Sequence, residues 1–232
     1  MSGLWVLVLL ISISSIPAVA AYIWFRIAKY SFTLVEFLFA LLAGAAAVFP
    51  ALLMQTLFPA SITASGRGGI FIEIFIRIAL TEELSRLLML FILFLIFRRS
   101  ELRSQEGISY SAVQHGAAAG LVAGFGFAII EGAIYGAADT GVLLLRVFTA
   151  APLHGACGSR VGAAAIMFHS SPYLALFRFL AATAIHGIYN FMIIMPGFPS
   201  IVAVLIALSA LFSSIVSIWN GSKSKGIENT GA

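Results

Sequence analysis

Seven apolar runs, at residues 4–25, 32–58, 70–97, 113–137, 142–168, 173–195 and 200–219, divide this chain. Each is near or above the roughly 20 residues that a helix needs to cross a bilayer. Composition leaves no other home for them. Of the 232 residues, 61% are hydrophobic and 9% charged, whereas a soluble domain carries about 25% charged residues to face water. The pattern predicts an all-α fold, a polytopic transmembrane helix bundle of about seven spans. The connections are short, so residues 1–232 read as one membrane-embedded domain. Its polar residues of interest lie between 70 and 195, and a short polar tail follows at 220–232. No internal repeat or low-complexity tract is visible.

The net charge of +4 is no nucleic-acid footprint, because the cations follow loop sides. Arg26 and Lys29 follow the first run, Arg98, Arg99 and Arg103 the third, and Lys223 and Lys225 the seventh; the opposite loops hold only Arg67. The positive-inside rule then predicts an outside N-terminus and a cytoplasmic C-terminus. Ala18–Val19–Ala20 resembles a signal-peptide cleavage site, but no basic residue precedes the first run and its apolar stretch is long. We therefore read it as a retained helix. The lone Cys157 excludes an internal disulfide.

Against this background Glu82 and Glu83, adjacent in the middle of the run 70–97, are expensive. A charged side chain at mid-membrane costs about 2.5–3.5 kcal/mol even on lenient insertion scales. At 1.5 Å of rise per residue, Glu83, His154 and His186 each fall about 20 Å from the cytoplasmic end of their run, and Glu131 about 27 Å. Helical phase adds that Arg86 shares a face with both glutamates, three and four residues away. His186 and Asn190 share a face in the same way. A carboxylate pair held by an arginine can supply a base beside an acid, and an Asn amide can donate to an oxyanion. The string Gly116-x3-Gly120-x3-Gly124 is a helix-packing signal. Phe127, one turn before Glu131, is expected to wall it from lipid, and Pro152 to loosen the backbone near His154.

Other polar residues carry structural readings. Glu73 and Arg77, four apart, make an ion pair whose phase lies nearly opposite Glu82 and Arg86. Glu36, His115 and His169 fall near membrane interfaces. Arg146, Arg160 and Arg178 can snorkel or pair with spare carboxylates. Cys157 is read as a small buried thiol.

The string Glu82-Glu83-x-x-Arg86 resembles the first motif of the PrsW family of intramembrane proteases, and Phe127-x3-Glu131 resembles the second. His154 and His186 look like that family's remaining positions. The CAAX-processing proteases of the Rce1/ABI superfamily are also similar, through a Glu–Glu pair and a His-x3-Asn matching His186 to Asn190. Glutamate where they carry histidine after Phe-x3, and the spacing of Arg86, favour PrsW over prenyl-protein processing. The resemblance implies a membrane-embedded endopeptidase of a prokaryotic cytoplasmic membrane. Its substrate would be a membrane-anchored protein; PrsW itself acts on an anti-sigma factor.

The expected mechanism uses Glu82 or Glu83 as general base on a confined water, oriented by Arg86. His154 and His186 position water or carbonyl, and Asn190 stabilises the oxyanion. Glu131 is a second acid or a metal ligand. A metal-free glutamate mechanism is favoured, with zinc on Glu131, His154 and His186 as the alternative. Buried carboxylates and histidines also build proton-coupled transporters, and a non-catalytic membrane scaffold is the third class.

Overall fold

The computed structural model describes residues 3–57, 66–97 and 109–228, which are helical apart from short connections and contain no strand. The side chains at 67 and 221–228 are not described. Of the loop cations behind the expected orientation, Arg98, Arg99 and Arg103 therefore lie outside the described residues, and the side chains of Arg67, Lys223 and Lys225 are not described.

Helices α1 (Gly3–Ser14) and α2 (Ile16–Ile27) form the first run, bent by 42° where Ser15 precedes a proline in the first turn of α2. A proline there interrupts the helix that would otherwise continue from α1. Next come α3 (Leu34–Leu57) and α4 (Gly66–Ile72). A π-helical segment, Glu73–Leu80, leads from α4 into α5 (Thr81–Phe97). After α6 (Tyr110–Ala138), α7 (Thr140–Phe148) and α8 (Ala150–Met167) meet at a 44° bend. The chain ends with α9 (Pro172–Ile194) and α10 (Ser200–Glu228). Four of these, α3, α6, α9 and α10, are long and apolar enough to cross a membrane, or up to six segments if each bent pair is one span. The run 70–97 is helical throughout, but the π-helical segment divides it.

The bundle is apolar outside and charged inside. Phe49, Phe177 and Leu145 are exposed, whereas Glu83 and Arg86 are fully buried. That inversion suits a lipid solvent, where an interior carboxylate needs a partner and a surface leucine does not. The central helix is α6, buried along most of its length. Its glycines bring α8 into backbone contact: a Cβ at Gly120 would lie 2.0 Å from the Gly158 carbonyl oxygen, and one at Gly158 would lie 2.2 Å from that of Gly120. The packing reading of the glycine string is borne out.

Glu36 and His115, expected near a membrane interface, are tied into the fold. Thr33 and Glu36 cap the start of α3 reciprocally: Thr33 N–H donates to Glu36 Oε2 at 2.9 Å, and Glu36 N–H to Thr33 Oγ1 at 3.1 Å. His115 Nε2 lies 3.2 Å from the other Glu36 oxygen, tying α6 to α3.

Candidate active site

Five helices, α5 to α9, and the π-helical segment that leads into α5 converge on the buried polar cluster. The widened turns of Glu73–Leu80 end at Thr81, immediately before Glu82 and Glu83. Such π-helical insertions re-aim the residues that follow them and are frequent at functional sites. Phe75 in that segment packs on Gly187 so closely that a Cβ there would lie 2.4 Å from the Phe75 ring. The neighbouring His186 on α9 is thereby brought onto α5.

Glu83 is wholly buried, with Arg86 Nη2 2.6 Å and His186 Nδ1 2.7 Å from its Oε1. An ionised carboxylate can only accept, so His186 Nδ1 carries the hydrogen; in the neutral ring Nε2 then keeps a lone pair. A second set faces it. Glu131 Oε2 accepts from Arg146 Nη2 at 2.5 Å and stands 2.6 Å from His154 Nε2. The two imidazole rings are perpendicular, with centroids 5.2 Å apart. Each histidine is thus held by a glutamate that is itself held by an arginine.

Glu82 lies between these two chains and belongs to neither. Its Oε2 is buried without a hydrogen-bond partner; His186 Nε2 is 3.7 Å away and Arg86 Nη2 3.9 Å. Glu82, His154 and His186 each offer an atom within 4.8 Å of the other two. Two imidazoles and a carboxylate are the donor set of a catalytic zinc with an open position. Ligand atoms around a tetrahedral zinc lie about 3.4 Å apart, close to the Glu82–His186 spacing. Carboxylates on the remaining ring nitrogens are the usual outer partners of metal-bound histidines. The residues fit such an ion.

This arrangement revises several expectations. Among the described residues, the three donors within 4.8 Å of one another include Glu82 where Glu131 was expected, and Glu131 lies against His154. The Glu131 side chain, read as lying farther out, reaches His154. Phe127 shields a different pair: its ring lies 4.7 Å beneath the Arg86 guanidinium and 5.2 Å from the His154 ring. The backbone does break near His154, as expected from Pro152: α7 and α8 meet at a 44° bend at Thr149, and Pro152 sits in the first turn of α8. Asn190 is half-buried one turn beyond His186, and among the described residues no hydrogen bond joins its amide to the cluster.

Glu73 and Arg77 pair with each other, and Arg77 also donates to the Gln55 carbonyl at 3.1 Å. Cys157 is buried and donates to the Ala182 carbonyl at 3.4 Å. Arg160 ties α8 to α10 through Ser213 and Ser214. Arg146 is the residue that sequence reasoning underrated: nothing in its spacing distinguishes a snorkelling arginine from one folded back onto Glu131.

A family model described as PrsW family intramembrane metalloprotease matches residues 34–216. No curated protein matches the chain, and no solved structure does.

Proposed function

Since the chain belongs to the PrsW family of intramembrane metalloproteases, and is thus a membrane-embedded protease, we propose that its hydrolytic centre is formed by Glu82, His154 and His186. The observation that carries this reading is the convergence of those three buried side chains, from α5, α8 and α9, with ligand atoms within 4.8 Å of one another. They would hold a zinc ion, which supplies Lewis-acid polarisation of the peptide carbonyl and makes water nucleophilic near neutral pH.

The chain's own residues do the rest. Glu83 is fixed through Oε1 by Arg86 and His186, while its Oε2 is buried without a hydrogen-bond partner. That free oxygen accepts the proton of the attacking water and returns it to the leaving amine. Arg86 orients Glu83, and its flat guanidinium rests on Phe127. Glu131 holds His154 in one tautomer through Nε2. Asn190, one turn beyond His186 on α9, would donate its amide to the oxyanion when substrate enters. The apolar walls keep bulk water out, so these charges act at close range in a low dielectric.

The substrate in this reading is a membrane-anchored protein, with an anti-sigma factor the first to try, and the setting is a prokaryotic cytoplasmic membrane with the N-terminus outside. The test is cleavage of a single-pass membrane substrate by the purified protein in liposomes. Wild type should cut it, and Glu82→Gln, Glu83→Gln and His186→Ala should each lose at least about 100-fold in rate. Full activity in Glu82→Gln, together with indifference to a strong chelator, would remove the assignment.

A further inference from the structure

We infer that Arg146 is a positioning residue of the centre, acting through Glu131 on His154; this rests on the reading of Glu82, His154 and His186 as the zinc-holding group. The sequence gives Arg146 no motif. Its role emerges from how α6, α7 and α8 are joined.

Helix α6 ends at Ala138, and Asp139 alone separates it from α7. Asp139 caps α7 by accepting from the Gly141 N–H at 2.7 Å, so the chain reverses within one residue. Arg146, in the last turn of α7, is thereby folded back along α6. There it meets two α6 residues one turn apart. Its Nη2 is 2.5 Å from Glu131 Oε2, and its guanidinium carbon lies 4.2 Å from the centre of the Tyr135 ring. The ring fixes the plane of the guanidinium, and the carboxylate fixes its direction.

The other half of the centre is built in the same way. Arg86 holds Glu83, Glu83 holds His186, and the Arg86 guanidinium rests on Phe127. Arg146 holds Glu131, Glu131 holds His154, and the Arg146 guanidinium rests on Tyr135. Phe127 and Tyr135 stand one turn before and one turn after Glu131 on the same helix. The two chains differ in access. Glu83 and Arg86 are fully buried, whereas the Glu131 and Arg146 side chains are 19% and 22% exposed. The Arg146 half is therefore the one open to the surroundings, so a substitution there can alter His154 without emptying the core.

A surface arginine that merely snorkelled would leave His154 unaffected when replaced. An arginine that orients Glu131 would not, because an unheld carboxylate no longer fixes the ring plane or tautomer of His154. Lysine offers a point charge in place of a planar fork and should rescue only in part.

The experiment measures zinc affinity of the purified full-length protein in detergent, by competition with a fluorescent chelator. Wild type is compared with Arg146→Gln, Arg146→Lys, Glu131→Gln and the Arg146→Gln/Glu131→Gln double variant. Leu145→Ala, on the lipid-exposed side of the same helix, is the control. Arg146→Gln and Glu131→Gln should each weaken zinc binding about 10- to 100-fold, the usual cost of losing an outer partner of a ligand histidine. Arg146→Lys should fall between wild type and Arg146→Gln, and the double variant should match Glu131→Gln. Unchanged affinity in Arg146→Gln overturns the proposal. So does a double variant whose loss is the product of the two single losses, because Arg146 would then act independently of Glu131. If Arg146→Gln alone does not fold, the double variant, which leaves no unpaired charge, is compared directly with Glu131→Gln. Glu82→Gln tests the centre itself: if it leaves zinc affinity intact, the assignment of zinc to Glu82, His154 and His186 fails. The same cycle read on kcat and KM then decides whether Arg146 works through Glu131.

Discussion

The Cα of Gly124 lies so close to the carbonyl oxygen of His154 that a Cβ there would sit 2.0 Å from it. The same oxygen accepts from Arg86 Nη1 at 3.3 Å. One backbone carbonyl thus joins the central helix α6, the histidine of α8 and the arginine of α5. The glycine string is more than a packing device here, because it sets how far His154 stands from Glu131 on the same helix.

Gly124→Ala should therefore damage activity more than its single methyl group suggests. The added carbon meets backbone, which cannot rotate away, so α8 must shift. Overpacking of this kind costs about 1–3 kcal/mol, and a displacement near 1 Å at reacting groups can cost about 100-fold in rate. Gly132→Ala is the comparison, since its Cβ would meet the Ser14 hydroxyl, a side chain that can turn. Cleavage rates and detergent melting temperatures of the two variants decide it. Equal, near-wild-type values for both would contradict the argument.

The buried pair Glu83 and Arg86 should behave asymmetrically. Arg86→Met leaves a carboxylate with no cation in a site that excludes water, and breaking such a pair costs about 3–5 kcal/mol. Arg86→Met/Glu83→Gln removes both charges, and His186 can still donate to the Gln oxygen. The double variant should recover most of the melting temperature while remaining inactive. A double variant no more stable than Arg86→Met would show that the ion pair is not what the core depends on.

The adjacency of Glu82, Glu83, Arg86, Glu131, His154 and His186 was legible in the sequence for a physical reason. Charge is so costly in lipid that residues far apart in sequence but similar in depth must share a cavity. What could not be read was which atom of each is already engaged. Glu131 and Glu82 look alike at that level, yet Arg146 and His154 occupy Glu131, while Glu82 Oε2 keeps no partner. The π-helical turn before Glu82 leaves no compositional mark, because its residues are as apolar as those of any span. The bends at Ser15 and Thr149 each come just before a proline, Pro17 and Pro152, so the sequence marks their place, while their angles were hidden because hydropathy averages across them.

The ion pair of Glu73 and Arg77 provides a second kind of test. It lies in the same helical run as the candidate centre, but its side chains are 24% and 30% exposed and it bonds to Gln55 rather than to either histidine. Arg77→Gln/Glu73→Gln should leave cleavage and zinc affinity close to wild type. Loss of zinc affinity in this variant would mean that any intramembrane charge matters, and the case for the specific cluster would weaken.

Metal removal should register in stability as well as in rate. A ligand that binds only the folded state stabilises it by about 2.7 kcal/mol at a concentration of 100 Kd. For a domain of 150–250 residues each kcal/mol shifts the melting temperature by about 2–4 °C. Chelation of the detergent-solubilised protein should therefore lower its melting temperature by several degrees, and added zinc should restore it. In Glu82→Gln the neutral amide replaces a carboxylate whose buried oxygen has no donor, so the apo fold should be at least as stable as wild type. Its melting temperature should no longer respond to zinc, because one of three donors has lost its charge. A zinc-dependent rise in Glu82→Gln equal to that of wild type would move the metal away from Glu82, and Glu131 would return as the third ligand.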